Sequence, residues 1–129
     1  VPARTAGAAL CGARLPLSNS ASGLCLIKAS PENERRVLLS RIRATLTRRR
    51  LPVGAFEQRV SEALAGPVVI SRDTWHKGIG GVAVTVSNGS EIGAITIPVA
   101  TSNVSEKEMR GPLSDMILEL VERHQLGIR

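Results

Sequence analysis

Two residues that could do acid–base chemistry are Asp73 and His76, which lie three positions apart in segment 71–77. A carboxylate beside an imidazole can move a proton when a nucleophile or substrate lies within hydrogen-bond reach. No serine or cysteine has a recognisable nucleophile setting beside this pair. We therefore expect that the protein is not an enzyme.

The remaining candidate ligands of a metal ion are two cysteines, Cys11 and Cys25, and a second histidine, His124. Their spacing matches neither a zinc motif nor a disulfide framework. A free cysteine usually behaves as a small apolar residue. His124 falls on an apolar helical stripe, so we expect it at the edge of the core. The sequence predicts no metal ion and no cofactor.

A third pattern could bind an anion. The small polar segment 18–23, SNSASG, precedes an apolar run and predicts a helix over about 21–29, with Ser20 or Asn19 as its N-cap. A helix that begins with Ala, Ser and Gly exposes backbone N–H groups that no bulky side chain covers. Ordinary capping without any ligand explains the same residues, so both interpretations stay open.

A β-hairpin over 78–99 must supply the other side of any such site. Two β-branched runs flank Asn88-Gly89, which favours a two-residue type I′ turn. With that turn, Gly81 lies opposite Thr96. Because side chains alternate along a strand, the hairpin has two different faces. The bulky face belongs on a core, and the other face is small: Gly81, Ala83, Thr85, Ile92, Ala94 and Thr96.

The small face leaves space above it, which two occupants could take. A helix packed close to the sheet would fill the space with its own side chains. A small molecule could also bind there, because ligand sites are concave, mostly apolar and carry few polar groups.

The chain carries a formal net charge of +6, which permits attraction to polyanions without requiring it. A predicted helix after Ser30-Pro31 concentrates the cations on one side, from Arg35 to Arg50. This face could bind nucleic acid, or it could be a solvated surface. Aromatic residues make up only 2% of the chain, so stacking platforms for single strands are missing.

The 129 residues are enough for one domain with a real core, preceded by a loose lead-in over 1–11. The predicted order is strand, three helices, strand, hairpin and a final long helix that ends near Gly127. Helices that segregate from an antiparallel sheet indicate the α+β class. No membrane span or signal peptide is visible, so we expect a cytoplasmic protein that does not bind membranes.

Three segments together resemble the C-terminal effector-binding domain of IclR-type transcriptional regulators, which is GAF-like. They are ARLPLSNSASGLCL (13–26), VISRDTWHKGIGGVAVTV (69–86) and GAITIPVATSNVSEKEM (93–109). The resemblance covers about 12–126 and depends on the order and spacing of all three segments. It implies an α+β domain, with an antiparallel sheet and helices packed on it, that lacks the family's opening strands.

The resemblance also implies a pocket between the helix start, the loop after the first buried strand and the small face of the hairpin. Three residues depart from the family pattern: Ser71 stands where an acid is frequent, Gly81 where a cysteine is frequent and Pro98 where a hydroxyl can occur. The pocket should therefore be roomier and less polar. The implied effector-binding residues are Ala21, Ser22, Gly23, Ser71, Ile79, Gly81, Thr96 and Pro98.

By the same resemblance, the chain is an effector-binding and oligomerising domain of a transcriptional regulator. Its partners would be a small-molecule effector, of which a carboxylate is the expected type, and further copies of itself in a dimer or tetramer. DNA would be bound by a separate N-terminal helix-turn-helix domain that is not in this chain. The alternative is a nucleic-acid-binding module that uses the Arg35 to Arg50 face.

Overall fold

A computed structural model describes residues 17–124 and the backbone of residues 127 and 128. The lead-in over 1–11, Cys11 and the start of the first predicted strand lie outside the described residues. The elements are helices α1 (Ala21–Ala29), α2 (Glu32–Arg48), α3 (Val53–Ala65), α4 (Glu106–Glu108) and α5 (Ser114–Arg123), and strands β1 (Val68–Arg72), β2 (Ile79–Ser87), β3 (Ile92–Ala100) and β4 (Gly127–Ile128).

The fold is α+β, as the sequence predicts, with one antiparallel sheet at its centre. Strand β2 lies between β3 on one side and β1 and β4 on the other. Both faces of β2 are buried over most of its length, because helices cover the sheet from both sides. This explains why its sequence, IGGVAVTVS, is apolar almost without interruption.

Two hydrophobic clusters hold these layers together. On one face of the sheet, Leu24 and Ile27 of α1 pack with Phe56 of α3. On the other face, Val82 and Val84 pack against α5 and the residues before it. The bulky hairpin face predicted from the sequence thus lies on the α5 cluster, and the small face lies under α1.

The predicted type I′ turn is wrong, and with it the pairing inside the hairpin. The loop has four residues, 88–91, and Ser87 pairs with Ile92. A type I′ turn needs positive φ at both central residues. Gly89 has φ +108°, whereas Asn88 is not among the described residues with positive φ. The Asn88 side chain instead accepts a hydrogen bond from the N–H of Glu91 at 3.1 Å.

The register therefore shifts by two residues relative to the prediction. Thr96 lies opposite Ala83, and Gly81 lies opposite Pro98. Because the side-chain period of a strand is two, this shift keeps every residue on its predicted face. Gly81 and Thr96 remain on the small face as diagonal neighbours.

The C-terminal helical region also differs from the prediction. Helix α5 ends at Arg123, and Gly127 belongs to β4 instead of capping the helix. His124 is exposed and does not lie at the edge of the core. A π-helical turn over Met109–Leu113 precedes α5, since Pro112 cannot donate to a regular helical ladder. None of the helices in the described part is long and apolar enough to cross a bilayer.

Candidate ligand-binding site

A cavity of about 220 Å³ lies at the N-terminal end of α1, over the small face of the hairpin. Helix α1 covers the far half of that face, where the Thr85 hydroxyl donates to the Cys25 carbonyl at 3.0 Å. At the near half the helix begins, and the floor is left open. A helix thus covers one half of the small face, and a cavity lies over the other half. The cavity is lined by Ser20, Ala21, Ser22, Ser71, Trp75, Ile79, Gly80, Gly81, Thr96 and Pro98.

The floor of the cavity is open because Gly81 has no side chain. A Cβ placed on Gly81 would lie 3.2 Å from Thr96 Cγ2, 3.5 Å from Ala21 Cβ and 3.8 Å from Ser71 Oγ. These three contacts come from β3, α1 and β1, so Gly81 is the point on which all three elements converge. A larger side chain at this position would occupy the cavity.

The first turn of α1 forms one rim. Ser20 is the N-cap, and its Oγ accepts a hydrogen bond from the N–H of Gly23 at 3.0 Å. Its carbonyl accepts the N–H of Leu24. The first N–H groups of a helix have no intrahelical acceptor, so those of Ala21 and Ser22 are the remaining donors of this turn. The positive end of the helix dipole favours an acceptor or a single negative charge at this rim.

Three hydroxyls add polar contacts. Ser22 Oγ and Thr96 Oγ1 lie 2.6 Å apart and hydrogen-bond to each other across the rim. The Ser71 residue is only 9% exposed, and no hydrogen bond to its hydroxyl is found among the described residues. Ser71 lines the cavity, so its hydroxyl can form a hydrogen bond with a molecule bound there.

The loop between β1 and β2 forms the opposite wall and carries Trp75, which is half-buried. Asp73 holds the base of this loop: its Oδ1 accepts hydrogen bonds from the N–H of Gly78 at 2.7 Å and the hydroxyl of Thr101 at 3.0 Å. The Thr74 hydroxyl donates to the Asn19 carbonyl beside α1. The loop that carries Trp75 is therefore attached to the chain segment just before α1.

The segment before α1 is fixed in turn by Arg59 of α3. Its guanidinium donates to the carbonyl of Ser18 at 3.2 Å and to Oδ1 of Asn19 at 3.0 Å. Partial burial lowers the pKa of Arg59 from its usual value. The helix start, the Trp75 loop and α3 thus form one hydrogen-bonded frame around the cavity mouth.

The cavity contains no ionisable side chain among the described residues that line it. Its surface is made of small apolar groups, one indole, three serines and one threonine. It can take an apolar body with a polar end directed at the helix start. The described lining residues offer no charged group that would pair with a cation or with several negative charges.

Seven of the eight residues that the sequence predicted for this site line the cavity together. The exception is Gly23, where an added Cβ would lie only 2.5 to 2.8 Å from the backbone of Leu17. Gly23 thus allows the incoming chain to pass close to α1 and does not face the cavity. Trp75, Ser20 and Gly80 line the cavity but were missed as site residues. The only signal for Trp75 was that it is the single tryptophan, placed in the connecting loop.

The other residues considered for acid–base, thiol or metal chemistry lie in different surroundings. Asp73 does not pair with His76, whose ring packs against Trp75 with centroids 4.5 Å apart. Hydrogen bonds from the Gly78 N–H and the Thr101 hydroxyl lower the pKa of Asp73 from its usual value. Cys25 is fully buried, and burial raises the pKa of its thiol. Within the described ranges, His, Cys, Asp and Glu form no cluster of three that could hold a metal ion.

The arginines of α2 do not form a single face. At about 100° per residue, Arg41 and Arg48 lie roughly 140° around the helix from Arg36 and Arg43. Arg43 is paired with Glu57 of α3, at 2.6 Å between Nε and Oε1. The guanidinium of Arg35 donates to the carbonyls of Lys28 and Ser30 at the end of α1. The arginines of the predicted basic face therefore point in different directions around the helix, and two of them contact other parts of the fold.

The fold is shared with crystal structures of transcriptional regulators. An IclR family transcriptional regulator from Brucella abortus matches with a TM-score of 0.73 at 21% identity, over 84% of this chain and 42% of its own. A transcriptional regulator from Rhodococcus sp. RHA1 matches with a TM-score of 0.62 at 18% identity, over 77% of this chain and 42% of its own. A protein described as an IclR transcriptional regulator from Silicibacter sp. TM1040 matches with a TM-score of 0.61 at 21% identity, over 84% of this chain and 46% of its own.

These likenesses establish the fold, and this chain spans less than half of the length of each of the three regulators. No protein-family model matches the chain, and no curated protein matches it.

Proposed function

We propose that this chain is the C-terminal effector-binding domain of an IclR-type transcriptional regulator, and that the cavity at the start of α1 is its effector site. The observation that carries the proposal is the cavity itself. Residues far apart in the sequence, Ser22, Ser71, Gly81 and Thr96, surround one open space in a fold shared with such regulators.

The chemistry of the cavity supports a small effector with one carboxylate. Its negative end would face the N–H groups of Ala21 and Ser22, where the helix dipole contributes about 0.3–1 kcal/mol, and up to about 2 kcal/mol when partly buried. The hydroxyls of Ser22, Ser71 and Thr96 would donate hydrogen bonds to the same group. The apolar remainder would lie over Gly81 and Pro98.

Regulation would follow from coupling between the effector site and other parts of the regulator. Coupling free energies between sites are typically about 1–3 kcal/mol. The rim belongs to α1 and β3, so an effector that bridges them would change how firmly the helix is held to the sheet. In the proposed regulator, this domain would assemble as a dimer or tetramer and transmit the change to a separate helix-turn-helix domain.

A thermal-shift screen tests the effector site directly. Wild type and Gly81→Leu are melted with a panel of small monocarboxylates, both aliphatic and aromatic. The Leu side chain should fill the cavity, so a compound that raises the Tm of wild type should leave the Tm of Gly81→Leu nearly unchanged.

The matched control is Gly93→Leu in β3. A Cβ on Gly93 meets no atom within 4 Å. Gly93 pairs with Val86 on the face away from the cavity, so this variant should keep the wild-type response. If no compound stabilises wild type, or if Gly81→Leu responds as strongly as wild type, the effector site is not at this cavity.

A further inference from the structure

We infer that the cavity selects a planar, one-ring compound with a single polar end, and that Trp75 is the residue that makes this selection. The inference deepens the proposed effector site and rests on it. It names the shape and charge of the ligand, which neither the helix start nor the small face specifies.

The size of the cavity sets the first limit. An apolar cavity of about 150 Å³ holds one benzene molecule. The cavity here measures about 220 Å³. It therefore has room for one six-membered ring with a short substituent inside its walls.

Charge sets the second limit. None of the described lining residues is ionisable, so a second negative charge would lie in a mostly apolar space without a partner. Burying an unpaired charge is strongly unfavourable. A cation would in addition face the positive end of the α1 dipole. The compound is thus neutral or carries one negative charge at the end that faces Ala21 and Ser22.

The Trp75 side of the cavity favours a particular shape of ligand. Aromatic rings prefer offset or edge-to-face contact with one another, and such pairs strengthen association by roughly two- to twelvefold beyond the effect of area alone. The loop that carries the indole is attached on both sides of the cavity mouth, by the bond from Thr74 to the Asn19 carbonyl and by the bond between Asp73 and Thr101. A wall that is already positioned favours a flat ring over a saturated ring of equal size, because little ordering is needed on binding.

Calorimetric titration with two matched probes tests the inference. Benzoate and cyclohexanecarboxylate have the same carbon skeleton and the same carboxylate, and they differ in whether the ring is flat. We expect wild type to bind benzoate at least about twofold more tightly than cyclohexanecarboxylate. Because the chain has one tryptophan, quenching of its fluorescence on addition of benzoate reports contact with this wall.

The variants assign the preference to Trp75. Trp75→Leu should bind benzoate and cyclohexanecarboxylate with nearly equal affinity. Trp75→Phe should retain part of the preference for benzoate. Lys77→Ala is the matched control, because Lys77 is exposed and does not line the cavity. It should keep the wild-type ratio. A thermal melting curve first shows that each variant is folded. If Trp75→Leu does not fold, Trp75→Phe tests the role of Trp75 in its place.

The outcomes separate this inference from the proposed function. Equal affinities in wild type, or an aromatic preference that persists in Trp75→Leu, would overturn the role of Trp75. Pyruvate is a third probe, a small carboxylate without a ring. If wild type binds pyruvate but not benzoate, and Gly81→Leu does not bind pyruvate, the preference for a planar ring is wrong but the effector site at this cavity is supported. Absence of binding by all three probes and by the wider panel would remove both.

Discussion

Ser22 Oγ of α1 lies 2.6 Å from Thr96 Oγ1 of β3, and this hydrogen bond joins the helix start to the outer strand of the hairpin. Both residues line the cavity. In the proposed effector site, a ligand whose polar end reaches this pair would share the bond or replace it. The pair would then connect ligand binding to the packing of α1 on the sheet.

Removing either hydroxyl should destabilise the fold by about 0.5–1.5 kcal/mol, because a part-buried bond is lost and its partner remains. Ser22→Ala, Thr96→Val and the double variant, measured by urea unfolding, should show coupling of the same order. Thr101→Val is the control, since Thr101 bonds to Asp73 instead, and its effect should add to that of Ser22→Ala. Strictly additive effects of Ser22→Ala and Thr96→Val would mean that the two hydroxyls do not interact in solution.

Gly23→Ala should destabilise the protein by about 1–3 kcal/mol, the range for a side chain forced into a packed space. The added Cβ would lie 2.5 Å from the Leu17 carbonyl oxygen, and backbone cannot move aside as a side chain can. Gly54→Ala in α3 is the matched control, with no atom within 4 Å of the new Cβ. It should be neutral or stabilising by up to about 1 kcal/mol, because alanine favours the helix. Equal behaviour of the two variants in thermal unfolding would contradict the close approach at Leu17.

Asp73 should contribute stability that depends on pH in a defined direction. Its folded pKa is lowered by the Gly78 and Thr101 hydrogen bonds, so its carboxylate form is favoured in the folded state. The contribution is present above the ordinary pKa of about 3.9 and is lost as pH falls through the lower folded-state pKa.

Asp73→Asn is the informative variant, because asparagine also tolerates the positive φ of +59° at this position. Unfolding free energies of the two proteins should differ most near neutral pH and converge in acid. A difference that stays constant down to pH 2 would show that the charge on Asp73 has no part in holding the Trp75 loop.

The arginines at the end of α2 should not act as a specific nucleic-acid site. We expect duplex DNA to bind this chain no more tightly than the usual non-specific range of about 10⁻⁴ to 10⁻⁶ M at physiological salt. Replacement of Arg48, Arg49 and Arg50 by Glu should leave the thermal shift with monocarboxylates unchanged, since none of them lines the cavity. Tight DNA binding that is lost in this variant and weakens steeply with salt would restore the alternative function.

The local elements of this protein could be predicted because each depends on neighbours in the sequence. Ser20 caps α1 as expected, since a small polar residue before an apolar run satisfies the first N–H groups of a helix. The division of the hairpin into a bulky and a small face also held, although the turn was wrong. An error of two residues in register leaves every side chain on the same face.

The contribution of Trp75 could not be predicted in this way. Its position depends on the Thr74 bond to Asn19, which lies 55 residues away in the chain, and on the Asp73 bond to Thr101. Likewise, the sequence predicted that Gly23 lines an open helix start. Only the structure shows that the backbone of Leu17 lies against it, which gives Gly23 a packing role.

The amino-acid sequence by itself determined helices α1 to α3, strands β1 to β3 and which strand face is small, because caps and side-chain alternation act over a few residues. It did not determine the hairpin loop, the π-helical turn or strand β4. Only the tertiary structure decided that α1 stops halfway along that face and that a tryptophan loop closes the other side. Those features depend on contacts between distant segments, and their geometry is set by how the layers pack together.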